Sequence, residues 1–393
     1  MWWQTEGLTT TDGRLRLDGV PLGDVARANG TPTYVYGAAS LRRRVTCFQA
    51  ALPPNGRLYY ALKANRFPPL LGALRALPGV GIDACSPREV ATALAAGFSA
   101  SEISVTAGML SNRDLADFAA AGVHLNLDTR SVLRRWGRLV PAGTRVGLRI
   151  DPGVRMGWGE HLAYGQSKFG FALDEVVDAA ADAARAGLVV DTLHLHPGWG
   201  LPSSAAPALR ATLRAMADCA RALPTVRTLD VGGGLAPAFR PEDQPLSLDA
   251  WSAIVAEAVD GADWVVAAEP GTWLVAPVGA LLVEVNTVER RRSGLWVGVD
   301  AGHAIHCYAA HYGIPSALVP VERPLAPADA RCHVAGNINE ANDVFARDRA
   351  LPLPEEGEIW AILPAGAYGS AMASDHCLRG GFQEVWLDEP LER

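Results

Sequence analysis

Short apolar runs alternate with Ala- and Leu-rich stretches through the central part of the chain. The apolar runs predict strands at Arg57–Lys63, Val80–Cys85, Ile103–Ala107, His124–Asp128, Arg145–Asp151, Asp191–His196, Thr228–Gly232 and Trp264–Glu269. The stretches between them predict helices, among them Pro87–Ala96, Ser111–Ala121, Leu173–Ala186, Ala206–Leu223 and Ser247–Val259. Eight strand–helix units over about 230 residues indicate an α/β fold, a closed parallel (β/α)8 barrel of the TIM type. A doubly wound open sheet is the alternative.

The pattern changes after about residue 272, where helical periodicity gives way to short β-prone runs separated by turn residues. These runs are Val278–Val285, Leu295–Val299, Ala317–Val321, Cys332–Val334 and Glu358–Ile362. They predict a second, mostly β domain, and we expect the N-terminal pieces Arg14–Leu17 and Thr33–Tyr36 to join it. The predicted organisation is N-terminal strands at 1–35, a barrel at 36–272 and a C-terminal β domain at 273–393.

Composition narrows the classes of protein that remain. The chain has 393 residues, and a hydrophobic fraction of 49% supports a large core. A net charge of −7 without a long basic run argues against nucleic acid as a partner. The six cysteines are scattered, so we expect reduced thiols and no disulfide framework. Without a signal-peptide pattern or a long apolar run, we expect a soluble cytoplasmic protein and no membrane span.

Polar residues recur where the predicted strands end, which is where barrel enzymes carry out their chemistry. They are Lys63, Asp83, Arg149, His196, the run Gly232-Gly233-Gly234, and Glu269. So many buried polar groups in register require a site.

Lys63 is the centre of this pattern because it closes the apolar run Tyr59–Leu62. A buried ammonium is costly, so the lysine should be paired, deprotonated or covalently engaged. A deprotonated lysine attacks carbonyl groups, which makes Lys63 a candidate for a Schiff base. The simpler alternative is a side chain that reaches out to water.

The other residues match the separate chemical groups of a single ligand. The glycine run suggests a backbone nest for a phosphate, although a plain turn explains it equally well. Glu269 would need a cationic partner such as a protonated ring nitrogen, and His196 could lie flat on an aromatic ligand or be a core histidine. An aldehyde on a lysine, a phosphate, a protonated pyridine and an aromatic face together describe pyridoxal phosphate.

Two histidine groups raise the question of a metal. His194 and His196 share a strand face, and His303, His306 and His311 lie close in sequence beside Cys307. Neither group has the ligand spacing of a zinc site, so we expect no metal.

The chain resembles the fold-type III pyridoxal-phosphate decarboxylases, the group of diaminopimelate, ornithine and arginine decarboxylases. The ordered motifs are Tyr60-Ala61-Leu62-Lys63-Ala64-Asn65, Leu148-Arg149-Ile150, Ser167-Lys168-Phe169-Gly170, His196-Pro197-Gly198, Asp230-Val231-Gly232-Gly233-Gly234, Glu269-Pro270-Gly271 and Gly366-Ala367-Tyr368-Gly369. The resemblance implies an alanine-racemase-like barrel with a β domain, and a homodimer with active sites at its interface.

It also implies site roles. Lys63 would carry the Schiff base and Glu269 would meet the pyridine nitrogen, while Asp83 and Arg149 support the lysine and the cofactor. The glycine run, Gly271 and Tyr368 complete the cofactor-binding set, with Tyr368 approaching the phosphate.

The chain departs from the family pattern in ways that bear on the substrate. Trp199 stands where the family has a serine, Thr272 where it has an arginine, and Asn339 where it has a cysteine that protonates the intermediate. The segment that starts at Asp300 also lacks an Arg-Pro pair that helps to hold diaminopimelate. Glu340 remains and could meet a distal amine, so we expect a non-standard or conjugated amino acid rather than diaminopimelate.

The predicted reaction is decarboxylation of an amino acid through a Schiff base on Lys63 and a quinonoid intermediate. The candidate catalytic residues are Lys63, His196, Glu340 and Asn339. The proton donor stays open among His196, Lys63 and a water near His303 or Tyr368.

Other functions stay open at this point. They are a racemase or a decarboxylation-coupled transaminating enzyme of the same fold, a non-catalytic pyridoxal-phosphate-binding protein, and a barrel hydrolase that pairs Asp128 with Glu269.

Overall fold

The computed structural model describes residues 1–5, 7–159, 165 and 167–388, which form two compact units. The barrel unit comprises the described residues of Val45–Ala236 and Gln244–Trp273. The β-rich unit comprises those of Met1–Arg44, Pro237–Asp243 and Leu274–Arg393. Among the described residues, no helix combines the length and apolar composition that a membrane crossing requires.

The chain begins with short strands and two helices. In order these are β1 (Leu8–Thr11), β2 (Arg14–Leu17), β3 (Val20–Pro21), α1 (Leu22–Asn29), β4 (Thr33–Gly37) and α2 (Ala38–Ala51). The first three strands form an antiparallel sheet of their own.

Eight parallel strands then close into a barrel. They are β5 (Arg57–Ala61), β6 (Val80–Ala84), β7 (Ile103–Thr106), β8 (His124–Leu127), β9 (Arg145–Ile150), β10 (Val189–Leu195), β11 (Thr228–Asp230) and β12 (Val265–Ala268). The ring closes where β12 pairs with β5. The predicted barrel is therefore confirmed, and the open-sheet alternative is wrong.

Helices connect the barrel strands. They are α3 (Pro68–Arg75), α4 (Pro87–Ala95), α5 (Asn112–Ala121), α6 (Arg130–Trp136), α7 (Val176–Arg185), α8 (Ala206–Arg221) and α9 (Leu248–Ala258). Side-chain caps set several starts: the hydroxyls of Ser86, Ser111 and Ser247 accept backbone N–H groups of the first turns of α4, α5 and α9. Gly122, in the left-handed conformation, ends α5.

The position of Lys63 differs from the prediction. We expected Lys63 to end the first strand, but β5 ends at Ala61 and Lys63 lies in a 3-10 turn, Leu62–Ala64. The Asn65 N–H closes this turn on the carbonyl of Leu62. The extended pairing of β5 with β6 stops at Ala61, so the lysine follows the strand by one turn rather than terminating it.

The β-rich unit holds the remaining elements. They are α10 (Thr272–Val275, which begins in the barrel unit), β13 (Gly279–Arg291), β14 (Gly294–Val299), α11 (Tyr308–Tyr312), β15 (Ala317–Pro320), β16 (Ala330–Ala335), β17 (Val344–Leu351), β18 (Ile359–Leu363) and β19 (Gln383–Leu387). The sheet runs β15-β18-β13-β14-β16-β17, and β4 pairs with both β13 and β19. The expectation that N-terminal strand sequence joins the second β domain is thus confirmed for β4.

Candidate active site

A cavity of about 270 Å³ lies at the C-terminal ends of the barrel strands. Five side chains that the sequence singled out line it together: Lys63, Asp83, Arg149, His196 and Glu269. They lie at or just after the C-terminal ends of five different strands, so the closed barrel brings residues distant in sequence into one site.

Lys63 and Asp83 form the first pair of the cavity. Nζ of Lys63 donates a 2.7 Å hydrogen bond to Oδ2 of Asp83, whose side chain is fully buried. Burial raises the pKa of Asp83 above its usual value, and the Lys63 ammonium offsets part of that rise. Oδ1 of Asp83 has no hydrogen-bond partner among the described residues. The Lys63 side chain is 41% exposed rather than buried, but its amine is paired with a buried carboxylate within the site.

Lys63 and Lys168 are the only two lysines in the sequence, and both line this cavity. The chain carries 35 cationic residues, so all the others are arginines. Arginine provides charge at the surface equally well, but its guanidinium cannot be deprotonated and does not form imines as an amine does. Both lysine side-chain amines of the protein thus lie at this cavity.

Cys85 is the second neighbour of Lys63, and sequence reasoning missed it. Its Sγ lies 3.5 Å from Nζ of Lys63 and it lines the cavity. Burial raises the pKa of the thiol to about 12. A signal for it existed: Cys85 is two residues after Asp83, and side chains two apart in a strand face the same side.

Glu269 lies in a buried network on the other side of the site. Its Oε2 lies 3.0 Å from Nε2 of His194, and its Oε1 accepts a 3.3 Å hydrogen bond from Thr106. Nδ2 of Asn126 donates in turn to the Thr106 hydroxyl at 2.8 Å. Burial raises the pKa of Glu269, but the interaction with His194, including its hydrogen bond, and the charge of Lys63 outweigh that effect, so the net shift is downward. Glu269 is therefore an ionised carboxylate.

Asp230 completes this network. Its carboxylate lies within 4.8 Å of the ligand atoms of His194 and Glu269, and one oxygen accepts the N–H of Gly232 at 2.9 Å. Burial and the charge of Glu269 raise the pKa of Asp230 well above its usual value, so Asp230 holds a proton. Asp230 and Glu269 together thus carry one negative charge. Shared protons and hydrogen bonds explain why His194, Asp230 and Glu269 lie so close together.

His196 lies against the glycine run. Its Nδ1 accepts a 3.3 Å hydrogen bond from the N–H of Gly233. Burial, and then the charges of Arg149 and Lys63, lower the pKa of His196, so the ring is neutral with its proton on Nε2. A Cβ at Gly233 would lie 2.6 Å from the carbonyl oxygen of Glu269, so glycine is required for this close approach.

The two departures at Trp199 and Thr272 are directly connected. Nε1 of Trp199 donates a buried 2.7 Å hydrogen bond to Oγ1 of Thr272. The edge of the Trp199 ring also meets Trp158, with ring centroids 6.3 Å apart and an interplanar angle of 73°. The hydroxyl that stands at the position of the family arginine is therefore already engaged by an indole.

Other candidates from the sequence take different places. Arg149 is buried, with its guanidinium 4.2 Å from the ring centre of Phe169. Gly271 packs beside the lysine turn, since a Cβ there would lie 3.0 Å from that of Ala61. Asp128 is not among the described residues that line the cavity, which leaves the hydrolase pair with Glu269 without support.

Three predicted residues belong to the β-rich unit. Asn339 and Glu340 are exposed, and the Glu340 carboxylate lies 2.9 Å from Nε2 of His376. Tyr368 has a positive φ of 56° and stacks on Tyr308 with ring centroids 6.0 Å apart. Their roles stay predictions.

The histidines of the β-rich unit also have separate partners. Nδ1 of His303 lies 3.7 Å from Asp343, Nδ1 of His306 lies 3.2 Å from the Tyr34 hydroxyl, and His311 packs edge-on against Tyr312.

A family model described as "Pyridoxal-dependent decarboxylase, pyridoxal binding domain" matches residues 38–276. Among known relatives, the chain is similar to the proteins named diaminopimelate decarboxylase from Methanothermobacter thermautotrophicus and Pseudomonas fluorescens. Each is 33% identical over 96% of this chain, and the matches cover 91% and 92% of those proteins.

Among solved structures, the chain is similar to diaminopimelate decarboxylase from Helicobacter pylori complexed with L-lysine. The TM-score is 0.87 at 25% identity, and the match covers 94% of both chains. The likeness therefore extends over nearly the whole chain in sequence and in fold.

Proposed function

The chain belongs to the pyridoxal-dependent decarboxylase family, and from this premise we propose that it decarboxylates an amino acid at a pyridoxal phosphate attached to Lys63. Membership makes it an enzyme, a carboxy-lyase that uses pyridoxal phosphate. The observation that carries the proposal is that Lys63 and Glu269 line the same cavity. Membership also favours decarboxylation over the racemase and the non-catalytic binding protein.

The residues of the cavity fit this cofactor. Oδ1 of Asp83 and Nδ1 of His194 are buried polar atoms without a partner in the described part of the chain, as expected beside a polar ligand. Glu269 is an acceptor kept ionised, suited to hold a proton on a pyridine nitrogen. When bound, pyridoxal phosphate supplies the electron sink for the bond that breaks as carbon dioxide leaves.

The chain's own residues would divide the work. Asp83 orients Nζ of Lys63, and Glu269, fixed by His194, would hold a proton on the pyridine nitrogen. His196, neutral and fixed by Gly233, offers a flat face to the ring, while Arg149 adds positive charge at the wall. The glycine run, Gly271 and Tyr368 remain the proposed contacts of the phosphate.

For the substrate, we propose an amino acid without a distal carboxylate, which includes a non-standard or conjugated one. The support is the pair Trp199 and Thr272, because an indole and a hydroxyl bonded to each other offer no charge to such a group. Glu340 is the proposed acceptor of a distal amine. The relatives named diaminopimelate decarboxylase make that compound the necessary comparison.

The attachment of pyridoxal phosphate to Lys63 can be tested directly, because the sequence has only two lysines. Loaded protein is reduced with borohydride, digested and mapped by mass spectrometry. We expect a pyridoxyl label on the Lys63 peptide in the wild type and in Lys168→Arg, and none on any lysine in Lys63→Arg. A label on Lys168 in the wild type would overturn the assignment.

The substrate test measures carbon dioxide from a panel that contains diaminopimelate, lysine, ornithine, arginine and amide-linked amino acids. We expect release from a substrate without a distal carboxylate and little from diaminopimelate. Chiral analysis of recovered amino acid excludes racemisation in the same samples. Preferential turnover of diaminopimelate would refute the substrate proposal and leave the decarboxylation intact.

A further inference from the structure

Decarboxylation requires an acid at the cavity, because the electron pair left on the α-carbon must receive a proton after carbon dioxide departs. Most lining groups do not suit this task. Glu269 is ionised and held by His194, His196 is neutral, and Oδ2 of Asp83 accepts from the Lys63 ammonium. Asn339, at the position of the family's cysteine, has no acidic proton. The thiol of Cys85 is a neutral acid among the described lining residues, and it lies 3.5 Å from Nζ of Lys63.

The position of Cys85 is fixed by the chain around it. Its backbone N–H donates a 2.6 Å hydrogen bond to Oε2 of Glu89, and the N–H of Glu89 donates to the Ser86 hydroxyl at 3.2 Å. These bonds lock the junction of β6 and α4 directly beneath the thiol. The backbone of Cys85 is therefore fixed, and its Sγ accepts from Nζ of Lys63 at 3.5 Å, which favours proton transfer at a defined place.

The surroundings of the thiol mark this wall of the cavity as a ligand site. Cys85 Sγ is 3.5 Å from the lysine amine, and the unpartnered Oδ1 of Asp83 belongs to the same wall. Asp83 is fully buried, so an oxygen without a partner there is accounted for by a ligand that approaches it.

We propose that Cys85 is a catalytic residue, the acid that protonates the α-carbon of the substrate after carbon dioxide leaves. The inference rests on the proposed function. The S–H bond breaks, its proton forms the new C–H bond with the electron pair on the α-carbon, and a thiolate remains. The neighbouring Lys63 ammonium then returns a proton to sulfur and becomes the neutral amine that can reattach to the cofactor.

The high pKa of the thiol agrees with this role. At about 12 it keeps the S–H intact between turnovers, and the Lys63 charge is the group that opposes this rise. A thiolate formed during turnover is thus stabilised by the same amine that reprotonates it.

The first test asks whether the thiol faces the cofactor space, independently of turnover. Cofactor-free protein is treated with iodoacetamide with and without pyridoxal phosphate, and each cysteine is quantified by mass spectrometry. We expect pyridoxal phosphate to slow alkylation of Cys85 at least about ten-fold, while the exposed Cys47 and Cys377 react unchanged. Equal rates at Cys85 with and without pyridoxal phosphate would overturn the proposal.

The second test follows the proton. Without its acid, the enzyme should still release carbon dioxide, but the proton should arrive on the cofactor carbon, leaving pyridoxamine phosphate and a carbonyl product. We expect Cys85→Ala to raise the fraction of turnovers that end in pyridoxamine phosphate about 100-fold, with Cys85→Ser in between. Cofactor affinity and circular dichroism establish that both variants are folded.

The outcomes separate the two proposals. A wild type that releases no carbon dioxide from any substrate sinks the proposed function before the variants are compared. A wild type that turns over, with a folded Cys85→Ala of unchanged product ratio, refutes the role of Cys85 and assigns the proton to another donor.

Discussion

Nε2 of His194 lies 3.0 Å from Oε2 of Glu269, and both side chains are almost wholly excluded from solvent. Burial lowers the pKa of His194, so the neutral ring donates its Nε2–H to the carboxylate. Because this hydrogen bond favours the ionised carboxyl, His194 determines the charge that Glu269 presents to the cavity. His194 is thus a positioning residue that acts through Glu269.

Replacing His194 should therefore weaken cofactor binding. In His194→Leu, the largest interaction that offsets the burial of Glu269 is lost, so the pKa of Glu269 rises and the carboxyl takes up a proton more readily. We expect the Kd for pyridoxal phosphate, measured by equilibrium dialysis, to rise about 10- to 100-fold, the worth of a charged hydrogen bond. The deficit relative to the wild type should shrink as the pH rises, because Glu269 ionises again.

Two further variants control this prediction. His194→Gln retains an N–H donor and should stay within a few-fold of the wild type. His124→Leu removes a second histidine–carboxylate pair, His124 with Asp191 at 3.1 Å, at the other end of the barrel strands, and should leave the Kd unchanged. A pH-independent deficit in His194→Leu would mean that the ring only fills space.

The hydrogen bond from Trp199 to Thr272 should contribute to stability. Thr272→Val removes the Oγ1 acceptor of a buried indole N–H, which costs ~1–3 kcal/mol, and Trp199→Phe removes the N–H donor to the Thr272 hydroxyl. The double variant should cost less than the two single variants together, measured by urea unfolding. Trp296→Phe is the matched control, because its 2.8 Å bond to Ser293 is exposed and should contribute less than ~1 kcal/mol. Strict additivity of the two buried variants would argue against the bond.

Trp199 and Thr272 should also act together in determining which amino acid the enzyme accepts. Trp199→Ser with Thr272→Arg restores both residues that the family resemblance places there. We expect the double variant to gain carbon dioxide release from diaminopimelate relative to the wild type. Thr272→Arg alone should fold poorly, because it buries a guanidinium beside the indole without a partner. If the double variant releases no more carbon dioxide from diaminopimelate than the wild type, Trp199 and Thr272 do not determine which substrate is used.

The strand pattern and the polar residues at strand ends were readable from the sequence because both follow from local rules. Alternating apolar runs indicate barrel strands, and a closed barrel brings their C-terminal ends together, so Lys63, Asp83 and Glu269 could be grouped without coordinates. Cys85 was overlooked because its spacing of two residues from Asp83 gains meaning only once the distance from its Sγ to Nζ of Lys63 is known.

Some features were not predicted from the sequence, for specific physical reasons. β17 contains Arg347, Asp348 and Arg349, and it tolerates them because it lies at the sheet edge. The sequence showed that Thr272 stands at the position of the family's arginine. Its hydrogen bond with Trp199 became visible only in the folded structure.

Acid should destabilise the protein partly through His306. Burial lowers the pKa of this ring to about 4, whereas an unfolded histidine titrates near ~6.5. Between these values the unfolded chain binds a proton that the folded chain excludes, so stability falls as the pH falls. The loss is about 1.4 kcal/mol per pH unit and about 3 kcal/mol in all.

The variant His306→Gln isolates this effect. It lacks the titrating ring, so any stability advantage of the wild type over the variant should decrease as the pH falls from 7 to 4. Urea unfolding at several pH values measures it. Parallel pH curves for the two proteins would show that His306 takes up its proton equally in the folded and unfolded states, which contradicts the lowered pKa.

The proposed homodimer with shared sites makes a prediction that needs two variants. Lys63→Ala lies in the barrel unit and Tyr368→Ala in the β-rich unit, and each should abolish decarboxylation alone. If one site takes Lys63 from one copy and Tyr368 from another, a mixed dimer regains one intact site. Random exchange makes about half of the dimers mixed, so activity should return to about a quarter of the wild type.

If each chain supplied both residues to its own site, every chain in the mixture would still carry one defect, and no activity would return. Tyr368→Phe is the matched control, since it keeps the ring that stacks on Tyr308 and removes only the hydroxyl. Activity in Tyr368→Phe with none in Tyr368→Ala would assign the role of this residue to its ring. Light scattering on the same samples measures the mass, and a monomeric wild type would contradict both the shared site and the dimer.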